Sequence, residues 1–238
     1  MATTSSIAST ASTTNAASYT SSAFTPAVND LLLVMVWASD TLATGAVTNT
    51  AGTTFSEILS IFNNGHGLYC FVANSLVTST ASQTVTFTCT GDAATGSVIH
   101  IAKVTGMSRT GLSAILQSNS AAVATSTVPT GSLTSFTTSG NSAVCVYGVS
   151  DAAATSAAQA ALTVPSGFTK GTGGTNSYSN RGSISEYAWK DGGVSVDTAA
   201  WSTSADAGAV AMFEIDASAA PSSSAKFGPV VMRAGGVI

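Results

Sequence analysis

The sequence predicts an all-β fold, an antiparallel two-sheet β-sandwich with an extended segment at each end. Three observations carry this reading. Short apolar runs recur along the chain, each bracketed by Asn, Asp, Gly or Ser. One run alternates apolar and hydroxyl residues with a period of two, the signature of a half-buried strand. No stretch carries a long amphipathic helical pattern.

Residues 1–29 contain no charged side chain and are mostly Ser, Thr and Ala, so 1–21 reads as an arm ahead of the domain. The first strong element is "NDLLLVMVWASD", in which seven successive apolar residues run from Leu31 to Trp37. That length, bracketed by Asn29-Asp30 and Ser39-Asp40, predicts a strand buried on both faces. Asn64-Gly65 follows as a tight turn needing positive φ, and leads into "LYCFVANSL". "QTVTFTCTG" puts Val85, Phe87 and Cys89 on one face and Thr84, Thr86, Thr88 and Thr90 on the other. After Gly91-Asp92 comes "SVIHIAKVTG", again strand-like.

The stretch 107–139 is rich in Ser and Thr and gives no decisive pattern. "NSAVCVYGVSD" (141–151) resumes the strand pattern. "DAAATSAAQAAL" (151–162) fits either a short helix capped by Asp151 or a long loop, and 170–182 reads as a Gly/Asn/Ser loop. "SISEYAWK" and "AGAVAMFEI" are the last two strands, closing a domain over 22–216. Residues 217–225 are a polar linker, and an apolar segment ends the chain.

Composition narrows function. Charged residues make up 8% against roughly 25% in ordinary globular proteins, while hydrophobic residues reach 45%, so the chain is not disordered in the usual charge-rich way. A net charge of -4 and seven scattered Lys and Arg exclude a nucleic-acid partner, which requires clustered cations. Cys70, Cys89 and Cys145 sit in apolar runs without CxxC spacing and read as buried thiols, not metal ligands. The start of the sequence lacks the basic and apolar regions of a signal peptide, and no apolar run is long enough for a membrane span. The expectation is synthesis in a cytoplasm, with no cofactor and no membrane partner.

No G-x-S-x-G elbow occurs, and "GTGGTN" lacks the Lys-Ser/Thr ending of a phosphate loop. His66 lies in a Gly-rich turn, and His100 lies within a strand, on a wet sheet face or in a core hydrogen bond. Glu186 and Glu214 are the candidate carboxylates for a glycosidase pair. Trp189, Trp201, Tyr178 and Tyr187 lie around one long loop, as a glycan-stacking platform requires, while core and edge packing explains Trp189 and Tyr187, on one face of a strand, equally well.

The remaining candidate is the end of the chain, "KFGPVVMRAGGVI". Phe227, Pro229, Val230, Val231, Met232, Val237 and Ile238 prefer to leave water, yet Pro229 and the glycines break any helix. Burial returns roughly 1.5–3 kcal/mol per large apolar side chain, while ordering costs about 1–2 kcal/mol for every residue fixed. Apolar burial alone therefore does not hold the segment, and backbone hydrogen bonds to an existing sheet edge must contribute. The sequence reads 217–238 as a linker and docking arm, the edge lying on this domain or on a neighbour.

The order "FTPAVNDLLLVMVWASD", "LYCFVANSL", "QTVTFTCTGDAATGSVIHIAKVTG", "PSGFTK", "SISEYAWK", "AWSTSADAGAVAMFEI" resembles the jelly-roll-like β-sandwich virion proteins of tailed bacteriophages. The resemblance spans about 22–216, and Asn29 departs from the Gly that often precedes the Asp there. It implies a jelly-roll-like sandwich and a structural role without catalytic residues, as a capsid decoration (cement) protein or a tail-associated subunit. The implied partners are the major capsid protein and further copies of this chain, a trimer among the arrangements. The alternative is a tail-fibre or surface module that binds host glycan.

Overall fold

The computed structural model describes residues 1–39, 45–89, 96–125, 127–134, 140–150, 162–171, 183–192, 198–201 and 207–216. The first five-stranded sheet runs β1 (Thr3–Ser12), β8 (Ser97–Thr105), β3 (Leu31–Ala38), β6 (His66–Ala73), β5 (Phe55–Asn63). The second runs β12 (Thr169–Lys170), β13 (Ile184–Asp191), β11 (Ser142–Val149), β15 (Gly208–Ile215), β9 (Ile115–Val123). A three-stranded sheet joins β2 (Ser18–Thr20), β7 (Val85–Cys89) and β4 (Gly45–Asn49), and a ribbon pairs β10 (Thr130–Ser132) with β14 (Thr198–Ala200). Every ladder is antiparallel, and the helical element among the described residues is one 3₁₀ turn, η1 (Gly111–Ala114). The all-β sandwich expected from the sequence is the architecture found.

Layering explains why four strands are buried throughout and apolar at nearly every position. All eight residues of each of β3, β6, β11 and β15 are buried. Register places Trp37 opposite Leu68 and Met35 opposite Cys70 on the face of the first sheet that meets the second. On the reverse face Val36 pairs with Tyr69, whose ring lies 5.0 Å from Phe87 of the three-stranded sheet. The second sheet is covered likewise. Val144, Val146, Phe213 and Ala211 point to the first sheet, while Cys145, Tyr147 and Met212 lie under the β10–β14 ribbon with Trp201. A strand covered on both faces is apolar on both, with its polar residues (His66, Ser142, Glu214) near strand ends and hydrogen-bonded, so period-two alternation survives in outer strands such as β7.

The Asn64-Gly65 turn closes the β5–β6 hairpin, with φ of 50° and 74° at its two central residues. Residues 1–21, set apart by composition, are extended but not free of the domain. β1 pairs with β8 along its length, and β2 pairs with β7. Their small side chains add little apolar burial, and specific polar contacts hold the start of β1. Both carboxylate oxygens of Asp191 in β13 accept the Thr4 N–H, each at 3.1 Å, and Asp191 Oδ1 also accepts the Ser142 hydroxyl at 2.6 Å.

Candidate functional site

The two histidines form cross-sheet bonds. His66 Nδ1 donates to the Asn64 carbonyl at 2.9 Å, leaving Nε2 to accept the Ser183 hydroxyl at 2.9 Å. Its ring stacks on Trp37 with centroids 5.1 Å apart. His100 lies between Ser9 Oγ at 3.0 Å from Nδ1 and Ser185 Oγ at 3.1 Å from Nε2. Burial lowers its pKa to about 4, so it is neutral at physiological pH. Of the two sequence alternatives for His100, the core hydrogen bond is the one found. A nucleophilic serine needs access to substrate, but His66, His100, Ser183 and Ser185 are each at most 1% exposed. These Ser–His pairs satisfy one another across the sheet interface.

Glu186 and Glu214 do not form a pair. Glu186 stands opposite Tyr147 and Glu214 opposite Ala143, on strands flanking β11 on either side. Four residues of rise and two strand spacings put them about 16 Å apart, beyond the roughly 5–10 Å that glycosidase carboxylates require. Each carboxylate has structural partners instead. Glu186 Oε2 meets Lys170 Nζ at 2.6 Å, while its buried Oε1 has no hydrogen-bond partner among the described residues. Burial raises the Glu186 pKa against the opposing pull of Lys170. Glu214 accepts Gln117 Nε2 and Asn141 Nδ2, both at 2.6 Å. Strand order and register decide this question, and neither is present in local sequence.

Of the two readings of the aromatics, core packing is the one found for Tyr187 and Trp189, and the stacking platform is not formed. Tyr187 and Trp189 belong to the core between the two large sheets, and Trp201 belongs to the core under the ribbon. Their faces are buried, so they offer no stacking surface to a sugar; Tyr178 lies outside the described residues. The three cysteines are buried free thiols. Cys145 Sγ accepts the Trp201 Nε1–H at 3.1 Å, and burial pushes its pKa up to about 12. Among the described residues no three His, Cys, Asp or Glu side chains group as metal ligands, and no helix is long and apolar enough to cross a membrane.

The feature that composition does not reveal is an asymmetry between sheet edges. β5, at one edge of the first sheet, carries exposed Glu57 and a register shift beside it. β12, at one edge of the second, is two residues long and includes Lys170. Charge, irregularity and shortness are the usual protections of an edge against pairing. The opposite edges have little of this. β1 is ten residues of Ser, Thr, Ala and Ile, and β9 is nine residues, "ILQSNSAAV"; each has one register shift, but neither carries a charge or a proline. β9 falls within the stretch 107–139 that had no decisive pattern, where the available signal was the lack of any charged residue from 110 to 150.

The docking residues Phe227, Pro229, Val230, Val231, Met232, Val237 and Ile238 lie outside the described residues, as does the helix-or-loop stretch 151–161. The described chain ends at Asp216, beside the start of β9. Its N–H donates to the Ala114 carbonyl at 2.8 Å, and its carboxylate meets Arg109 at 2.9 Å. No protein-family model, no curated protein and no solved structure matches this chain.

Proposed function

We propose that this chain is a non-enzymatic virion structural protein, a capsid decoration (cement) subunit that binds and stabilises neighbouring capsid subunits. It acts on the outer capsid surface, with the major capsid protein and further copies of itself as partners. The observation that carries the reading is the pair of long, uncharged edges, β1 and β9, on the two five-stranded sheets, whose opposite edges, β5 and β12, carry charge or are short. An isolated soluble protein with such edges is exposed to unwanted pairing, whereas an assembly subunit uses them. The buried polar groups add support, since both His–Ser pairs and the Glu214 cluster serve packing.

In this reading 217–238 supplies the apolar contact to neighbours, and the hydroxyl-rich, nearly uncharged composition suits a surface covered on assembly. The test is deletion of 217–238, followed by counting the copies bound per capsid and measuring the capsid's resistance to heat. Loss of both is the expected outcome. Unchanged occupancy and unchanged heat resistance would overturn the proposal.

A further inference from the structure

We propose that two copies of this chain exchange their C-terminal segments, residues 229–233 of each adding as an antiparallel strand to the β9 edge of the other. The inference deepens the proposed function and rests on its reading of 217–238 as a docking segment.

Three observations select β9. Its one strand partner among the described residues is β15, so alternate N–H and C=O groups of a nine-residue strand face away from the sheet. Large apolar side chains stand exposed on the elements around it: Leu116 in β9 itself (49%), Leu112 in η1 (54%) and Phe62 in β5 (42%). Both η1 and β5 pack against β9. The third observation is the exit of the chain. The Asp216 bonds to Ala114 and Arg109 fix the start of the remaining 22 residues at the Ile115 end of β9.

Direction decides whose edge is used. All ladders described in this protein are antiparallel, and parallel pairing is slightly weaker per residue. A segment rising from the Ile115 end beside its own β9 would run parallel to it. To run antiparallel on its own edge, the linker would first have to traverse the length of β9, about 27 Å, most of the roughly 40 Å that its residues can span. Two copies facing each other through β9 remove the conflict. A two-fold axis brings the exit of one copy to the Val123 end of the other's β9, from which the segment runs antiparallel at once. The order β9, partner segment, own segment, partner β9 is then antiparallel at every step and joins the two sheets into one.

The segment's sequence suits this position. Pro229 opens the strand, where its missing N–H costs no ladder bond. In an extended segment Val230 and Met232 share one face, and Val231 and Arg233 share the other.

The experiment uses the full chain. Sedimentation velocity gives a dimer for the full chain, and a monomer of unchanged far-UV circular dichroism and melting temperature once 226–238 is removed. Ala121→Lys with Ala122→Lys, which charges the exposed edge without touching the core, loses the dimer boundary. To separate exchange from self-docking, a chain carrying Ala121→Cys is mixed under oxidation with chains carrying Val230→Cys, Val231→Cys, Met232→Cys or Arg233→Cys in turn. A disulfide-linked pair of unlike chains is the expected product. A full chain that stays monomeric overturns the exchange, and so does a chain carrying both substitutions that links only within itself.

Failure here is distinguishable from failure of the proposed function. A monomeric chain that loses capsid binding on tail deletion sinks the exchange and leaves the decoration role standing. A tail-exchanged dimer with no affinity for capsids supports the exchange and sinks that role.

Discussion

The Trp37 indole of β3 lies over Gly148 of β11 and donates its Nε1–H to the Val149 carbonyl at 3.1 Å. A Cβ built on Gly148 would overlap the indole carbons of this fully buried ring. The contact joins the two large sheets, and His66 stacks on the same indole with centroids 5.1 Å apart. Shape fixes this junction, since the close approach requires that no side chain stand at 148.

Gly148→Ala is accordingly expected to destabilise the fold by about 1–3 kcal/mol through overpacking. Neither the ring nor the central strand can withdraw, because both are covered on every side. Urea unfolding of the variant checks it; an unchanged midpoint and slope would show that the indole relaxes at no cost.

His100 makes stability depend on pH. Its folded pKa is lowered to about 4 by burial, against an ordinary value of 6.5. Between these values the unfolded chain binds the proton and the folded chain does not, so stability rises with pH across the window. The contribution is fully present above about 6.5 and is lost as pH falls toward 4, amounting to about 3 kcal/mol. Melting temperatures from pH 4 to 7 for the native chain and His100→Gln test this: the variant's slope over that window should be shallower. Equal slopes would rule the residue out as the source.

The sandwich was legible from the sequence where chemistry is local. Leu31–Trp37 announced a doubly covered strand because every position had to be apolar, and the Thr/Val alternation of 84–89 announced an outer one. Asn64-Gly65 declared its turn through the positive φ those residues tolerate. β1 was not legible as part of the sheet. Ser, Thr and Ala carry no strand periodicity, and its anchor, Asp191, lies 187 positions from Thr4. The candidate sites followed the same division. That Glu186 and Glu214 stand apart, and that Trp189 and Trp201 serve different cores, are properties of strand order and layering, which no local pattern encodes.

Glu186→Gln is expected to raise stability at neutral pH by about 1 kcal/mol, since the carboxylate is buried and one of its oxygens has no hydrogen-bond partner among the described residues. Its partner Lys170 is 43% exposed and regains water when the charge is removed. Burial raises the Glu186 pKa, so the native chain is favoured by the protonated form at low pH and loses that contribution as pH rises. The variant's advantage should therefore shrink as the medium is acidified through the carboxylate range. An advantage that does not vary with pH would place its origin in packing.

The thiols should be silent in the native state. Cys70, Cys89 and Cys145 are buried, and burial raises the pKa of Cys70 and Cys145, suppressing the thiolate that reacts. A chromogenic disulfide reagent is expected to titrate no thiol in buffer and all three in denaturant. Rapid reaction of any one in buffer would mean that its layer opens on the timescale of the assay.

Asp191 should govern the docking of β1 more than the stability of the whole domain. It gathers the Thr4 N–H on two oxygens and the Ser142 hydroxyl on one, and Ala2 beside it is fully buried. The rest of β1 offers β8 mostly backbone bonds and small side chains, so few other contacts would hold its start in place. Asp191→Ala removes charge-assisted bonds of about 1.5–3 kcal/mol each when intact. The expected outcome is local: amides of 3–6 lose hydrogen-exchange protection first, while those of β3 and β11 keep theirs. A uniform loss of protection across all four strand layers would instead make Asp191 a determinant of global folding, and β1 an inseparable part of the core.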